Sequence, residues 1–207
     1  MWEFFIDYDP IVGTVALSTV NLALLQLGGE QITALDESSR SARVMAALWR
    51  PVLKDVLRDH HWNFAKKRAT LVATTAPLFE FSNAYTLPTD CLKVICLGEP
   101  ADELTWRVEG NLLLTNESTA NILYTRLVDT DSGPAQADET GLFDSKFILA
   151  LAYRLAAEAA EAITGRTGRR EEMLKFYQMV LTDAATIASQ EQAPEPLPGS
   201  LWVNARA

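Results

Sequence analysis

The chain has 207 residues, 48 % hydrophobic and 22 % charged, with a formal charge of −9. That composition suits one large globular domain or two small ones and supports a sizeable core. No apolar run reaches the roughly 18 residues that would span a bilayer, and the acidic balance argues against tight duplex binding, which favours a basic excess.

The first residues, MWEFFIDYDP, are aromatic-rich and carry Glu3, Asp7 and Asp9 with no cationic start. They do not read as a signal peptide, so residence in a cytoplasm is expected. Residues 1–9 are read as an N-terminal extension. Asp9-Pro10 is a good helix start, an acceptor at the cap followed by proline at the first helical position. Val12, Ala16, Thr19, Ala23 and Gln26 then share one side, and Leu17, Val20, Leu24 and Leu27 another. An apolar surface wider than one stripe predicts contacts on two sides, and Gly28-Gly29 supplies the stop.

A second helix is predicted after a cap at Asp36 or Ser38. Ala42, Met45, Trp49, Val52, Leu53 and Val56 recur at helical spacing through Pro51, which should kink the helix without ending it. The two helices are expected to pair as a hairpin across residues 28–36.

The stretch HHWNFAKKRATL, residues 60–71, raises three readings. Two adjacent histidines could contribute to a metal site, but they cannot share one helix face and no histidine or cysteine cluster accompanies them. Lys66, Lys67 and Arg68 beside Trp62 and Phe64 have the makings of a nucleic-acid platform. The structural reading is stronger. The histidines end a helix with help from its C-terminal dipole, Trp62 and Phe64 fill the junction beneath a sheet, and the cations open an edge strand.

From Lys66 to Val128 the pattern changes to short β-branched and aromatic runs separated by turn residues, predicting five or six antiparallel strands. Glu109-Gly110-Asn111 reads as a hairpin turn between Val108 and Leu112. Cys91 and Cys96 fit no zinc or redox spacing, and are expected as reduced thiols on opposite strand faces, one of them in the core. Residues 129–140 form a polar loop bearing Asp129, Asp131, Asp138 and Glu139.

Residues 141–192 read as two further helices. The first is closed by Gly165, and seven of the thirteen residues from Ala150 to Ala162 are alanines, small enough to let a neighbouring helix come close. The second places Met173, Phe176, Tyr177, Val180 and Leu181 on its apolar side. The fold expected is therefore α+β and mainly helical: a helical bundle from residues 10–65 and 141–192, a β-region at 66–128, and an extended arm at 193–207. Alternate prolines at 194, 196 and 198 forbid a helix in that arm, and Trp202 near its end suggests that it docks.

Catalytic constellations are not evident. Gly28-Gly29 lacks the residues of a phosphate loop, the serines lack a nucleophile-elbow context, and the acidic pairs Asp102-Glu103 and Glu171-Glu172 read as solvated surface. A glycosidase pair needs only to meet in space, so that reading stays open. No catalytic, cofactor or metal residue is assigned.

The order of VNLALLQLG, ALDESSRSARVM, LRDHHWNFAKKRATL, YTLPTDCLKV, RVEGNLLLTN, ILYTRLVDT and LALAYRLAAEAAEAIT, spread over residues 18–190, resembles the head–tail adaptors of short-tailed phages and their prophage relatives, the family of tail tubular protein A. The sharpest pieces are Trp62-Asn63-Phe64-Ala65 with the cations after it, Tyr85-x-Leu87-Pro88-x-Asp90-Cys91, and the Glu109-Gly110 turn. The resemblance implies a structural protein of the virion tail at the portal vertex, made in the host cytoplasm. Its expected form is a dodecameric homo-oligomeric ring that joins the portal protein to the tail nozzle protein. DNA would pass through the lumen unbound, with no cofactor and no membrane. It also implies a partner-binding arm, here Pro194, Pro196, Leu197, Pro198, Leu201, Trp202 and Arg206. Two readings from other classes stay open: a virion-associated peptidoglycan-degrading tail component, and a regulatory or chaperone-like helical module.

Overall fold

The computed structural model describes residues 14–75, 77, 79–99, 104–128, 139–166 and 168–190. They form four helices and seven strands: α1 (Thr14–Leu27), α2 (Arg40–Asp59), β1 (Lys66–Thr70), β2 (Val72–Thr74), β3 (Asn83–Thr86), β4 (Cys91–Leu97), β5 (Trp106–Glu109), β6 (Leu112–Thr115), β7 (Asn121–Arg126), α3 (Ser145–Thr164) and α4 (Gly168–Gln190). The fold is α+β and mainly helical, with the β-region inserted between the two helical pairs, as the patterning predicts.

The helices end where their sequences tell them to. Gly28 has φ +71°, and the amides of Gly28 and Gly29 donate to Leu25 O and Leu24 O at 3.0 and 2.9 Å, closing α1 with a Schellman turn. Gly29 also lies tight against α3, where an added Cβ would meet Ile163 Cγ2 at 3.3 Å. The cap of α2 is Ser39, whose side chain accepts from Ala42 N–H at 3.1 Å, rather than Asp36 or Ser38. Pro51 sits inside α2 without ending it, and all six apolar positions expected of that helix are buried. Asp144 caps α3, and Gly165, at φ +67°, closes it.

The predicted α1–α2 hairpin is not what forms. The alanine-rich α3 is the hub, and α1, α2 and α4 all pack on it. Ala150, Ala152, Ala156, Ala159 and Ala160 are fully buried there. A stripe without long side chains lets three helices approach one, so α1 and α2 meet α3 instead of pairing closely with each other. Both sides of α1 contribute to the core, through Ala16, Thr19 and Ala23 and through Val20, Leu24 and Leu27. On α4, Met173, Tyr177, Val180 and Ala184 face inward. Phe176 does not. It is turned out and stacks on Tyr153 with ring centroids 5.4 Å apart.

The strands make two antiparallel sheets, ordered β1-β7-β4 and β2-β3-β6-β5. The count exceeds the expected five or six because RATLVAT is not one strand. Leu71 breaks it, and its amide donates to Ala120 O at 2.8 Å. At this corner β1 passes into β2 and β6 into β7, so the chain changes sheet twice at one place. Tyr85 and Leu113 from one sheet and Val94, Leu97, Ile122 and Tyr124 from the other then share a second core. The Gly110-Asn111 turn links β5 to β6, with Glu109 opposite Leu112 and Gly110 at φ +60°. Strand β4 pairs with β7 through two register shifts, which spoil simple face alternation. Cys91 and Cys96 are both free and half-buried, so neither is the core thiol expected.

Candidate functional site

The helices hand over to the sheets at the joint of residues 58–67, where α2 also packs on β4. His60 leaves the helix at φ −137°, a short 3-10 turn covers Asn63–Ala65, and β1 begins at Lys66. The indole of Trp62 is buried, and its Nε1–H donates to Val56 O at 2.8 Å. Its ring meets Phe147 of α3 edge-on at 5.0 Å, and Phe64 meets Phe147 and Phe143 at 4.9 and 5.5 Å. These aromatics belong to the helical core, not to the underside of the sheet as expected. A chain turning from helix to strand loses backbone bonds, and large rings with one polar handle compensate that loss.

The cations do open an edge strand. Lys67 Nζ lies 2.9 Å from Asp90 Oδ2, and Tyr124 O–H donates to Asp90 Oδ1 at 3.0 Å. Asp90 therefore ties β1 to β7, while its own carbonyl accepts from Leu127 N–H at 2.7 Å and Pro88 O accepts from Cys91 N–H at 3.0 Å. Burial alone would raise the Asp90 carboxyl, yet the hydrogen bonds from Lys67 and Tyr124 hold it below the usual carboxylate range. On the other side of the joint, Arg58 Nη1 donates to Leu92 O at 2.5 Å and pins the end of α2 to β4.

Asp90→Asn should cost about 1 kcal/mol at pH 7, the scale of a partly exposed charged pair with one added hydrogen bond. The folded-state value of Asp90 lies below the unfolded one, so its contribution is present above about pH 4 and is lost as pH falls through the folded value. Urea unfolding of both proteins at pH 7 and in acid should show the gap narrowing as pH falls. A gap that stays constant would remove Asp90 as a charged tie.

The histidines behave opposite to the expectation from a helix dipole. Burial lowers both, with His61 and Lys66 adding to it at His60 and Lys93 and Lys66 at His61, and His61 Nδ1 is buried without a hydrogen-bond partner among the described residues. Among the described residues no group of three His, Cys, Asp or Glu side chains could hold a metal ion, and no helix is long and apolar enough to cross a membrane.

A second polar lattice fastens α2 and α3 to α4. Tyr177 O–H donates to Asp59 Oδ2 at 2.6 Å, and burial with that carboxylate pushes the phenol well above its ordinary range. Arg154 lies over the Tyr177 ring at 5.8 Å and pairs with Glu158 at 3.3 Å. Arg170 reaches the same glutamate at 3.1 Å.

One cleft opens at the joint. It has a volume of about 230 Å³ and is lined by His60, Trp62, Asn63 and Phe64, by Leu142 and Asp144 ahead of α3, by Lys146 in its first turn, and by Ile187 towards the end of α4. None of this was readable in advance, because the lining comes from three stretches far apart in sequence. A comparison with known protein families found no match, and a comparison with curated proteins found none either.

The sequence-predicted arm residues Pro194, Pro196, Leu197, Pro198, Leu201, Trp202 and Arg206 lie outside the described residues, as do Asp102-Glu103 and the helix start at Asp9-Pro10. Glu171 and Glu172 are on the outside of α4, with Glu172 paired to Arg169 at 2.7 Å.

Proposed function

We propose that this chain is a structural head-to-tail adaptor of a short-tailed phage. Copies form a dodecameric ring that binds the portal protein on one side, carries the tail nozzle protein on the other, and leaves a channel for DNA. The observation that supports this reading most is where the family-like motifs fall. Trp62-Asn63-Phe64-Ala65 is the helix-to-sheet joint, Pro88-x-Asp90-Cys91 opens β4 with Asp90 tying three strands, and Glu109-Gly110 turns β5 into β6. Motifs at structural joints are what a shared scaffold requires, whereas motifs around a reaction pocket would point to an enzyme.

Two further features agree. Several large apolar side chains stand on the outside of the fold: Leu25 on α1, Val72 on β2, Met179 on α4 and Phe79 between β2 and β3. These side chains are available to a partner, and a head-to-tail contact that closes on itself makes a ring. The formal charge of −9 suits a passage from which DNA phosphates are repelled.

Mass spectrometry of purified particles is the direct test of place. The chain should be present in fixed ratio to the portal protein, and its absence from virions would remove the reading. The arm has a role of its own here: a chain lacking residues 194–207 should fold normally, as judged by circular dichroism, and fail to co-purify with the portal. Undiminished co-purification would take the arm out of the interface.

A further inference from the structure

Helix α2 sorts its charges by face. Arg40, Arg43, Arg50, Lys54 and Arg58 follow one another at steps of three, four or seven residues, which places all of them on one side of the helix. All are exposed, and the side they share lies opposite the buried Met45, Trp49, Leu53 and Val56. Only Ala47 and Pro51 stand among them. The acids of the helix are engaged elsewhere: Asp55 lies 3.9 Å from Arg154 of α3, and Asp59 accepts from Tyr177 of α4. Ahead of the helix, the Glu37 carboxylate accepts from the amide and the hydroxyl of Thr33, both at 3.0 Å. The stripe continues past the helix end. Arg58 donates to Leu92 O and Lys93 Nζ donates to Arg58 O at 3.4 Å, so Lys93 adds a further cation on β4.

This stripe works against the helix that carries it. Arg40 with Arg43, Arg50 with Lys54, and Lys54 with Arg58 are like-charge neighbours three or four residues apart, an arrangement that destabilises a helix. Arg40 and Arg43 also stand at its start, where the dipole favours acids, and the first turn holds none. Arg40, Arg43 and Lys54 have no ion pair among the described residues to offset this. Of the 18 lysines and arginines in the chain, five stand on this face, so the remainder is more acidic than the net charge of −9. A one-signed stripe that costs stability in an acidic chain marks a surface for a polyanion.

What the stripe lacks decides which polyanion. An acidic protein surface is gripped around aromatic or aliphatic anchors, and nothing larger than Ala47 and Pro51 is offered. An anionic bilayer holds an amphipathic helix by its apolar face, and that of α2 is buried in the core. Single-stranded nucleic acid needs exposed rings to stack on, but Trp62 is buried and Phe64 packs on Phe143 and Phe147. A duplex asks only for cations along its phosphates. From Arg40 to Arg58 the stripe runs about 27 Å at the helical rise, a length over which a DNA strand presents several phosphates.

We propose that the outer face of α2 is a contact for the backbone of duplex DNA, in which Arg40, Arg43, Arg50, Lys54 and Arg58 meet phosphates without reading sequence. The inference rests on the adaptor reading for the presence of DNA and names the face turned to the passage. Repulsion from the acidic remainder keeps the contact weak and confined to the stripe, as sliding requires.

The test is fluorescence anisotropy of a short labelled duplex titrated with the full chain at low salt. Binding should be equal for two unrelated sequences and should weaken with salt at a log–log slope of about −4, the value for five neutralised phosphates. R40Q/R43Q/K54Q should bind at least about tenfold more weakly, with a slope of about −2, while melting no lower than the parent. R166Q/R169Q/K175Q removes the same charge from α4 and the turn before it, and should stay within about twofold of the parent. Equal losses in the two variants overturn the contact, because general charge then explains them. So does a parent that ignores duplex at low salt, or one that binds phosphatidylserine vesicles and not DNA. If R40Q/R43Q/K54Q retains DNA binding and loses the portal, the stripe belongs to an acidic protein and the proposal fails. Particles containing a chain indifferent to duplex leave the adaptor reading standing without this contact. Duplex binding through α2 by a chain absent from particles does the reverse.

Discussion

Trp62→Ala should destabilise the chain by about 3–5 kcal/mol, the range for removing a buried aromatic from a packed core. Trp62 is 4 % exposed, touches Phe64 and Phe147, and satisfies Val56 O through its indole N–H. Removing it leaves a cavity where α2, α3 and the start of β1 converge, so the loss combines packing with an orphaned carbonyl. Trp62→Phe separates the two effects: it keeps most of the ring contact and drops the donor, and should cost about 1–2 kcal/mol. Urea denaturation read by far-UV circular dichroism gives both numbers. Amide exchange should also quicken across β1 and the end of α2 in the alanine variant. A loss below about 1 kcal/mol for Trp62→Ala would mean that the joint is held elsewhere.

Ala156→Leu should be nearly as damaging for the opposite reason. Ala156 is fully buried on α3, the hub helix. A leucine adds three carbons where neighbouring helices already lie close, and overpacking of this kind costs about 1–3 kcal/mol or more. It should also spread α3 from its partners and expose apolar surface to a hydrophobic dye. Glu161→Ala, on the exposed side of the same helix, should stay within about 0.5 kcal/mol of the parent. If Ala156→Leu is as harmless as Glu161→Ala, close approach at the alanine stripe is not what builds the helical layer.

Much of this fold is legible in sequence where one residue type settles the local geometry. The Gly28-Gly29 stop, the Gly110 turn, the Gly165 closure and the apolar spacing of α2 are all of that kind. What was missed depends on residues distant in the chain. The α1–α2 hairpin fails because α3, which begins only after the whole β-region, supplies a better surface for both helices. Leu71 turns a corner inside an uninterrupted β-like run, and nothing in RATLVAT marks it. The histidines are set by the burial around them and not by the helix end on which they sit. Asp90 carries a clear motif, but its tie to Lys67 and Tyr124 appears only when β1, β4 and β7 are side by side. Glu80 gives no signal at all, since glutamate is not a residue that sequence reading places at positive φ. The family-like pieces were easier to see than their purpose, because a motif at a joint and a motif at an active site look alike until the strands are in place.

The central claim is that this chain finishes its surface by assembling at the portal. Electron microscopy of the full chain mixed with the portal protein of the same phage tests it most directly. The account predicts an added ring coaxial with the portal, with its central channel open. A portal that stays bare while the chain remains a separate monomer at saturating concentration would contradict it.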